Sequence, residues 1–330
     1  MGEGQSCCGT VDVCDLIHLD YGLRAGTGKD GHLHVHLMNL PKVHSFPGIE
    51  WKQYRSFLSR YNIDIIGYEE LSLEKGMAYS LWRFFSPSAK GIENKIEYVI
   101  SGFLNGIQKC GKAEEIALAE NIFFSVRAME YRLRDISISY GEQLSHTVAE
   151  GCEAGKLFSD SDTINLFLNI HSFLVEAATL RDHLAAFLAL KVFDRPDLRK
   201  MTSLLKFLKG TLRSEPIAEE VLEICNESTS DGWLARLSKL RNRIAHVSPI
   251  SSYSQFDGLA VGRHLIGKYE VPTISFGIPF DPILAPNGKH VDVLKYCVLF
   301  ARNMLLLTRH VVEVSGVKPE LMQFSDEGLV

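Results

Sequence analysis

The chain has 330 residues, of which 46% are hydrophobic and 23% are charged, as in an ordinary folded protein. Its net charge of −5 excludes a whole-protein attraction to nucleic acid, so any basic surface must be local. No apolar run approaches the roughly 20 residues of a membrane-spanning helix, and the N-terminus lacks the apolar core of a secretion signal. We therefore expect a cytoplasmic protein without membrane contact, whose seven cysteines stay reduced.

Turn residues and short apolar runs alternate in the N-terminal part of the chain, whereas helical periodicity dominates the remainder. We predict a small α/β or β region of unknown role over residues 1–85 and a helical bundle over 86–320. The predicted fold class is mainly α, with a β-ribbon inserted at about 253–286 before the last helix. In chain order, the predicted elements are a strand at 32–36, a helix at 51–61, a strand at 63–68, helices at about 90–107, 113–137, 162–193, 198–209, 216–225 and 230–247, the β-ribbon, and a helix at 291–314.

Three histidines alternate along the first predicted strand. His32, His34 and His36 are two residues apart, so their imidazoles point to one side of the strand. Cysteines near them in the sequence make a zinc site conceivable, and the alternative is an exposed edge strand. Because the chain has no Cys-x-x-Cys pair, we assign no metal ligand and no cofactor.

The segment from Arg241 to His246 carries the strongest chemical signal. His246 is a group whose ordinary pKa lies near neutral pH, as acid–base catalysis requires. Arg241 carries a planar, permanent cation that is suited to grip phosphoryl oxygens. On a helix Asn242 and His246 are one turn apart, and the long side chain of Arg241 can reach the same place. These three residues are the predicted catalytic site.

Basic residues surround this segment in a chain that is acidic as a whole. Arg236, Lys239 and Arg243 lie on the same predicted helix with no acidic residue between them, and we predict that they bind RNA. The preceding stretch, 191–213, adds seven further lysines and arginines against two aspartates. The alternative is that these side chains are the solvated faces of amphipathic helices.

A polar stripe follows the long helix predicted at 162–193. Its members are spaced by three and four residues and therefore share one face of the helix. The stripe either faces solvent or lines a cleft that faces the motif helix. In the second case Glu176 or His183 would support His246 or touch the substrate. The stripe consists of Asn165, Asn169, Ser172, Glu176, Thr179 and His183.

The motif helix resembles that of the HEPN superfamily. The family mark is an Arg, four to six residues and then a His, often with an Asn directly after the Arg. Leu240, Arg241, Asn242, Ala245 and His246 follow this pattern, near the end of a predicted helical bundle and before one more long helix. The resemblance covers residues of about 90–315 and implies an HEPN-like helical bundle.

The resemblance also implies an activity. HEPN ribonucleases cleave RNA without a metal, leaving 2′,3′-cyclic phosphate and 5′-hydroxyl ends, and the motifs of two subunits commonly meet across a homodimer cleft. His246 would be the general base or acid, Arg241 would stabilise the charged phosphorus centre, and Asn242 would orient the imidazole or the phosphate. Such proteins act as toxins with an antitoxin protein partner, or in anti-phage defence. The alternative is a non-catalytic HEPN-like module that binds RNA or a protein.

Overall fold

The computed structural model describes residues 15–27, 30, 32–37, 44–45, 48–74, 77–84, 95–151, 153–211, 215–225, 232–246, 259–276 and 292–320. Most of this part is helical, and two antiparallel sheets accompany the helices. The prediction of a mainly α chain with a β-ribbon before the last helix is therefore confirmed at this level. The helices are α1 (Trp51–Arg60), α2 (Lys95–Cys110), α3 (Ala113–Ala149), α4 (Ser161–Lys191), α5 (Met201–Thr211), α6 (Pro216–Ile224), α7 (Trp233–His246) and α8 (Val293–Val314). The strands are β1 (Asp15–Leu19), β2 (Arg24–Thr27), β3 (Leu33–Leu37), β4 (His44–Ser45), β5 (Ile65–Glu74), β6 (Met77–Phe84), β7 (Leu157–Phe158), β8 (Leu259–Ile266) and β9 (Tyr269–Phe276).

The N-terminal sheet has six strands in the order β4-β3-β2-β1-β5-β6, each antiparallel to its neighbours. Successive side chains of a strand point to opposite faces, so the sheet has two different surfaces. On one surface Ile17 and Val35 pack with Tyr54 and Leu58 of α1 in a small apolar core. The other surface faces α3, where Trp82 joins the core of the helical bundle.

Helices α3 and α4 form the centre of the bundle. They run antiparallel, because Asn169 of α4 contacts Ser139 of α3 while His183 contacts Ser125. Their buried positions recur at intervals of three and four residues, which turns one apolar side of each helix towards the other. Helix α8 packs against both, and α2, α6 and α7 contact α8 in turn.

The predicted end of α3 at residue 137 is wrong, because the helix continues to Ala149. Residues 138–149 contain Gly141 and several hydroxyl side chains, which are poor helix formers when considered alone. In the folded chain, Ser139 and Thr147 donate their hydroxyls to carbonyls one turn earlier on the helix. Packing against the sheet and α4 outweighs the local preference.

The predicted β-ribbon is the hairpin β8–β9, with a two-residue turn at Gly267 and Lys268. Gly267 has a φ of 63°, which a residue without Cβ adopts readily. The short β7 lies in the connection between α3 and α4 and adds a third strand beside β8. Leu259 packs in the bundle core and Ile266 in the core beneath the N-terminal sheet, so the hairpin joins the two.

We expect Gly67→Ala to lower the free energy of unfolding by about 1–3 kcal/mol, as forced overpacking does. A Cβ at Gly67 would lie 2.5 Å from the Trp82 ring and 2.6 Å from the Arg83 carbonyl oxygen. Trp82 is fully buried and the carbonyl belongs to the backbone, so neither neighbour can move aside easily.

The matched control is Gly210→Ala on α5, where a Cβ would meet no atom within 4 Å. That substitution should stabilise the chain by roughly 0.5–1 kcal/mol, because alanine favours a helix over glycine. Urea unfolding of both variants checks the pair. Equal stability of Gly67→Ala and the wild-type chain would contradict the packing of Trp82 across this strand.

Candidate functional site

Helix α7 is fixed to the bundle along one side. Leu234, Leu237 and Leu240 are buried in the main apolar core. Two hydrogen bonds fix the orientation of α7. Trp233 Nε1 donates to the carbonyl of Ile224 over 2.9 Å, and Arg181 Nη1 of α4 donates to Ser238 Oγ over 2.7 Å. The helix that carries the predicted catalytic residues is therefore held from both α4 and α6.

The structure brings Arg241 and Asn242 together. Arg241 is half-buried beside the apolar side of α7, and its Nη1 donates to Oδ1 of the exposed Asn242 over 3.2 Å. The backbone of α7 continues one further turn to His246, its last residue. The side chain of His246 lies outside the described part of the structure. Two of the three predicted catalytic side chains thus meet in the last turns of α7.

The three basic residues of α7 that are predicted to bind RNA lie on the face next to the one that carries Asn242. Arg236, Lys239 and Arg243 are spaced by three and four residues, which stacks them on one face. Lys239 is exposed, and the other two are half-buried. This face is adjacent to the exposed Asn242, so cations and the predicted catalytic amide lie on neighbouring parts of one helix.

The second basic stretch, 191–213, contributes less free charge than its composition indicates. Lys191 lies 2.9 Å from Glu115, and Arg195 lies 2.8 Å from Asp197. Arg199 approaches Glu114 at 3.6 Å. Carboxylates thus neutralise Lys191, Arg195 and Arg199, three of the seven cations of this stretch.

The polar stripe of α4 lies beside α3 and is partly exposed to solvent. Asn169 Nδ2 donates to Ser139 Oγ over 3.1 Å, and His183 Nδ1 lies 3.0 Å from Ser125 Oγ, so the stripe runs along α3. Arg181 faces α7, and His183, two residues later on the helix, is turned away from it. The supporting role predicted for His183 stays a prediction, because the side chain of His246 lies outside the described residues. Glu176 lies two turns before His183 on the same face and shares this orientation.

The N-terminal histidines form hydrogen bonds within their own hairpin. His34 Nε2 lies 3.0 Å from Asp30 Oδ1, and the His34 and His36 rings stack with centroids 6.4 Å apart. Their strand β3 lies between β2 and β4, so the alternative of an edge strand is wrong. Within the described ranges no group of three or more His, Cys, Asp or Glu side chains is arranged to hold a metal ion.

Sequence reasoning missed a buried ionisable cluster where the sheet, β9, α3 and α8 meet. Asp20 is fully buried in a single 3-10 turn (Asp20–Gly22), accepts a hydrogen bond from the backbone N–H of Asp64 over 3.1 Å and lies 3.6 Å from Lys295 Nζ. Asp292 accepts hydrogen bonds from the Tyr140 hydroxyl and from the backbone N–H of Lys295. The Tyr140 hydroxyl in turn accepts from the backbone N–H of Ile274 over 2.9 Å.

Burial controls the protonation of this cluster. Desolvation raises the pKa of Asp20 to about 7, although the positive charge of Lys295 opposes the shift. Desolvation also raises the pKa of Asp292 to about 6, against the hydrogen bond from Tyr140. Tyr21 has a φ of 61° and stacks on His264 at 4.0 Å between ring centroids, beside Lys295. No short motif could reveal this cluster, because its members are spread from residue 20 to residue 295.

Comparisons with protein-family models, curated proteins and solved structures found no match to this chain. Among the described residues, no helix combines the length and the apolar character needed to cross a membrane. The interpretation of the site therefore rests on the motif and on the geometry described above.

We expect the stability of the chain to depend on pH through Asp20. Its folded-state pKa is about 7 and the ordinary value is 3.8, so the folded state binds this proton more tightly. The stability that this proton contributes is fully present below the pKa of Asp20 in the unfolded chain. It is lost as pH rises through the pKa of Asp20 in the folded chain. Asp20→Asn should remove this slope. The difference in unfolding free energy between variant and wild type should change by on the order of 3 kcal/mol between about pH 4 and about pH 8.

Urea unfolding across this pH range measures the effect, and Asp292, whose charge raises the pKa of Asp20, is present in both proteins. Lys295→Met is the companion variant: loss of the cation should raise the pKa of Asp20 further and extend the fall in stability to higher pH. Parallel stability curves for Asp20→Asn and the wild-type chain would show that Asp20 does not hold a proton in the fold.

Proposed function

We propose that the chain is a metal-independent endoribonuclease of HEPN type that acts through Arg241, Asn242 and His246. The proposed products are 2′,3′-cyclic phosphate and 5′-hydroxyl ends. We further propose that the active form is a homodimer in the cytoplasm, and that it acts as a toxin restrained by an antitoxin protein or as an effector of anti-phage defence.

One observation carries the proposal. Arg241 and Asn242 are hydrogen-bonded to each other near the end of a helix that is anchored in the core by Leu234, Leu237 and Leu240. A guanidinium beside an exposed amide is suited to hold an anionic group. The basic face of Arg236, Lys239 and Arg243 lies next to Asn242 and would attract the phosphate backbone.

In the proposed reaction, His246 removes the proton from a ribose 2′-hydroxyl, or donates a proton to the leaving 5′-oxygen. The 2′-oxygen forms a bond to phosphorus while the bond from phosphorus to the 5′-oxygen breaks. Arg241 stabilises the extra negative charge on the phosphoryl oxygens in the transition state. Because DNA has no 2′-hydroxyl, it cannot react by this route.

We expect the purified chain to cleave RNA in excess EDTA, and His246→Ala and Arg241→Ala each to lower the rate by about 100-fold or more. Product ends are identified by mass spectrometry. A substrate with a single 2′-deoxynucleotide at the cleaved position should be inert. The matched control is Lys156→Ala, which removes one exposed cation outside α7 and should cleave at the wild-type rate.

Cleavage at the wild-type rate by both motif variants would refute the proposed chemistry. RNA binding without any cleavage would instead favour the alternative, a non-catalytic HEPN-like module that binds RNA. Loss of cleavage in EDTA would assign the reaction to a metal-dependent enzyme.

Lys239→Ala should weaken RNA binding in a way that depends on salt. A lysine that contacts one phosphate of a single strand contributes about 0.7 to the slope of log K against log salt concentration. The variant should therefore show a slope lower by about 0.7, measured by fluorescence anisotropy in a His246→Ala background. An unchanged slope would remove Lys239 from the RNA-binding face.

A further inference from the structure

Helices α3 and α4 expose large apolar side chains on the side of the pair that is turned away from α8, which packs against both. Among the described residues nine large apolar side chains are exposed, and five of them lie on these two helices. Their exposed fractions range from 40% to 71%. Contiguous exposed apolar surface of this kind marks an interaction site. The five residues, which define the α3–α4 face, are Phe124 and Tyr131 on α3 and Ile164, Leu168 and Val175 on α4.

The α3–α4 face has the dimensions of a helix-binding surface. Its three α4 residues are spaced by four and seven and its two α3 residues by seven, so each set forms a stripe along its own helix. The contacts of Ser125 with His183 and of Ser139 with Asn169 set the register of the antiparallel pair. In this register Phe124 and the first residue of the α4 stripe are about 30 Å apart along the helix axes. A helix of about 20 residues spans that length.

Acidic residues exceed basic ones in this part of the helix pair. Residues 120–142 and 162–183 contain seven aspartates and glutamates against four arginines. Every one of these arginines already has a carboxylate partner within the chain, so none of them adds an uncompensated positive charge to the face. The pairs are Arg127 with Glu130, Arg132 with Asp135, Arg134 with Glu69, and Arg181 with Asp182.

Three carboxylates of the same segments have no ion pair in the described part of the chain, and they are distributed along the face. Glu120 is exposed near Phe124 and accepts a hydrogen bond from Gln108 over 3.4 Å. Glu176 is half-buried on the side of α4 that meets α3, and therefore lies between the two stripes. Glu142 is exposed at the level of the first two residues of the α4 stripe. The α3–α4 face thus combines apolar stripes with uncompensated negative charge.

We propose that the α3–α4 face binds a basic amphipathic helix of a partner protein, with basic side chains at Glu120, Glu142 and Glu176. The apolar side of that helix would lie on the two stripes, as in other complexes of a helix in a groove. Charge decides between this occupant and two others. A second copy of the chain would bring the same carboxylates against one another, and an anionic membrane would be repelled. The face uses no residue of α7 and is independent of the proposed RNA cleavage.

Fluorescence anisotropy of a labelled peptide with the full chain tests the proposal. The probe is a helical peptide of leucine and lysine, about 20 residues long, with leucines spaced by three and four. One control peptide has glutamate in place of lysine, and the other has the same composition in scrambled order, which removes the apolar stripe. We expect the probe to bind with a Kd at least about tenfold lower than that of either control. Added salt should weaken its binding.

Matched variants locate the binding. Leu168→Gln removes an exposed leucine from the face and should weaken binding of the probe by about fivefold or more. Leu306→Gln on α8 is its control, because Leu306 is 55% exposed and Leu168 is 56% exposed. The control should leave the Kd unchanged. Val175→Gln provides a second test on the face, and Glu142→Gln should weaken binding by roughly twofold at low salt. Circular dichroism verifies that each variant is folded.

Equal affinity for the probe and either control peptide would overturn the proposal, as would unchanged affinity in both Leu168→Gln and Val175→Gln. Absence of saturable binding of the probe would also reject it. A dimer in sedimentation velocity that Leu168→Gln dissociates would assign the face to a second copy instead. Binding to vesicles of phosphatidylcholine and phosphatidylserine that Leu168→Gln abolishes would assign it to a membrane.

Discussion

The fold depends on helix α3 packing on two sides at once. One side carries the apolar contacts with α4 and α8, and the other faces the N-terminal sheet. A helix buried on two sides has few positions from which a polar side chain can reach water. The buried polar residues of α3 include Ser125, Ser137, Ser139 and Thr147, whose hydroxyls find partners within a short reach. These hydroxyl groups thus satisfy their own hydrogen bonds at positions where two layers approach the same helix.

Most secondary-structure elements follow from local patterns. Pro216 lies in the first turn of α6, where a missing N–H has no cost, and Asp160 caps α4 by accepting hydrogen bonds from the N–H groups of Asp162 and Thr163. Such signals act within a few residues and can be read from sequence. The continuation of α3 beyond residue 137 could not be read this way, because Gly141 faces Arg24, more than a hundred residues away. Tertiary contacts, rather than local preference, determine that the helix continues through Gly141.

The difference between local signals and long-range contacts also explains which parts of the sites could be predicted from the sequence. Arg241 and Asn242 are adjacent in sequence, so a short motif was sufficient to find the pair. The polar stripe that ends at His183 was predicted to face either solvent or α7, because spacing on a helix groups residues on one face but does not say which neighbour that face meets. The pairs that decide it, Asn169 with Ser139 and His183 with Ser125, are long-range. Sequence patterns also fail to reveal buried ionisable groups such as Asp20 and Asp292, because long-range contacts bury them.

Polar and ionic contacts at defined distances help to join the N-terminal sheet to the bundle. Arg24 and His18 contact Ser137, and Arg302 of α8 binds the carboxylate of Asp64 at 2.8 Å. Apolar surfaces attract without direction and close until they touch, whereas hydrogen bonds fix both distance and orientation. Apolar contact through Trp82 closes one part of this interface, while the bonds to Ser137 set the separation of β1 and β2 from α3. Beside those bonds Gly141 contributes no side chain, and a space remains between the two layers.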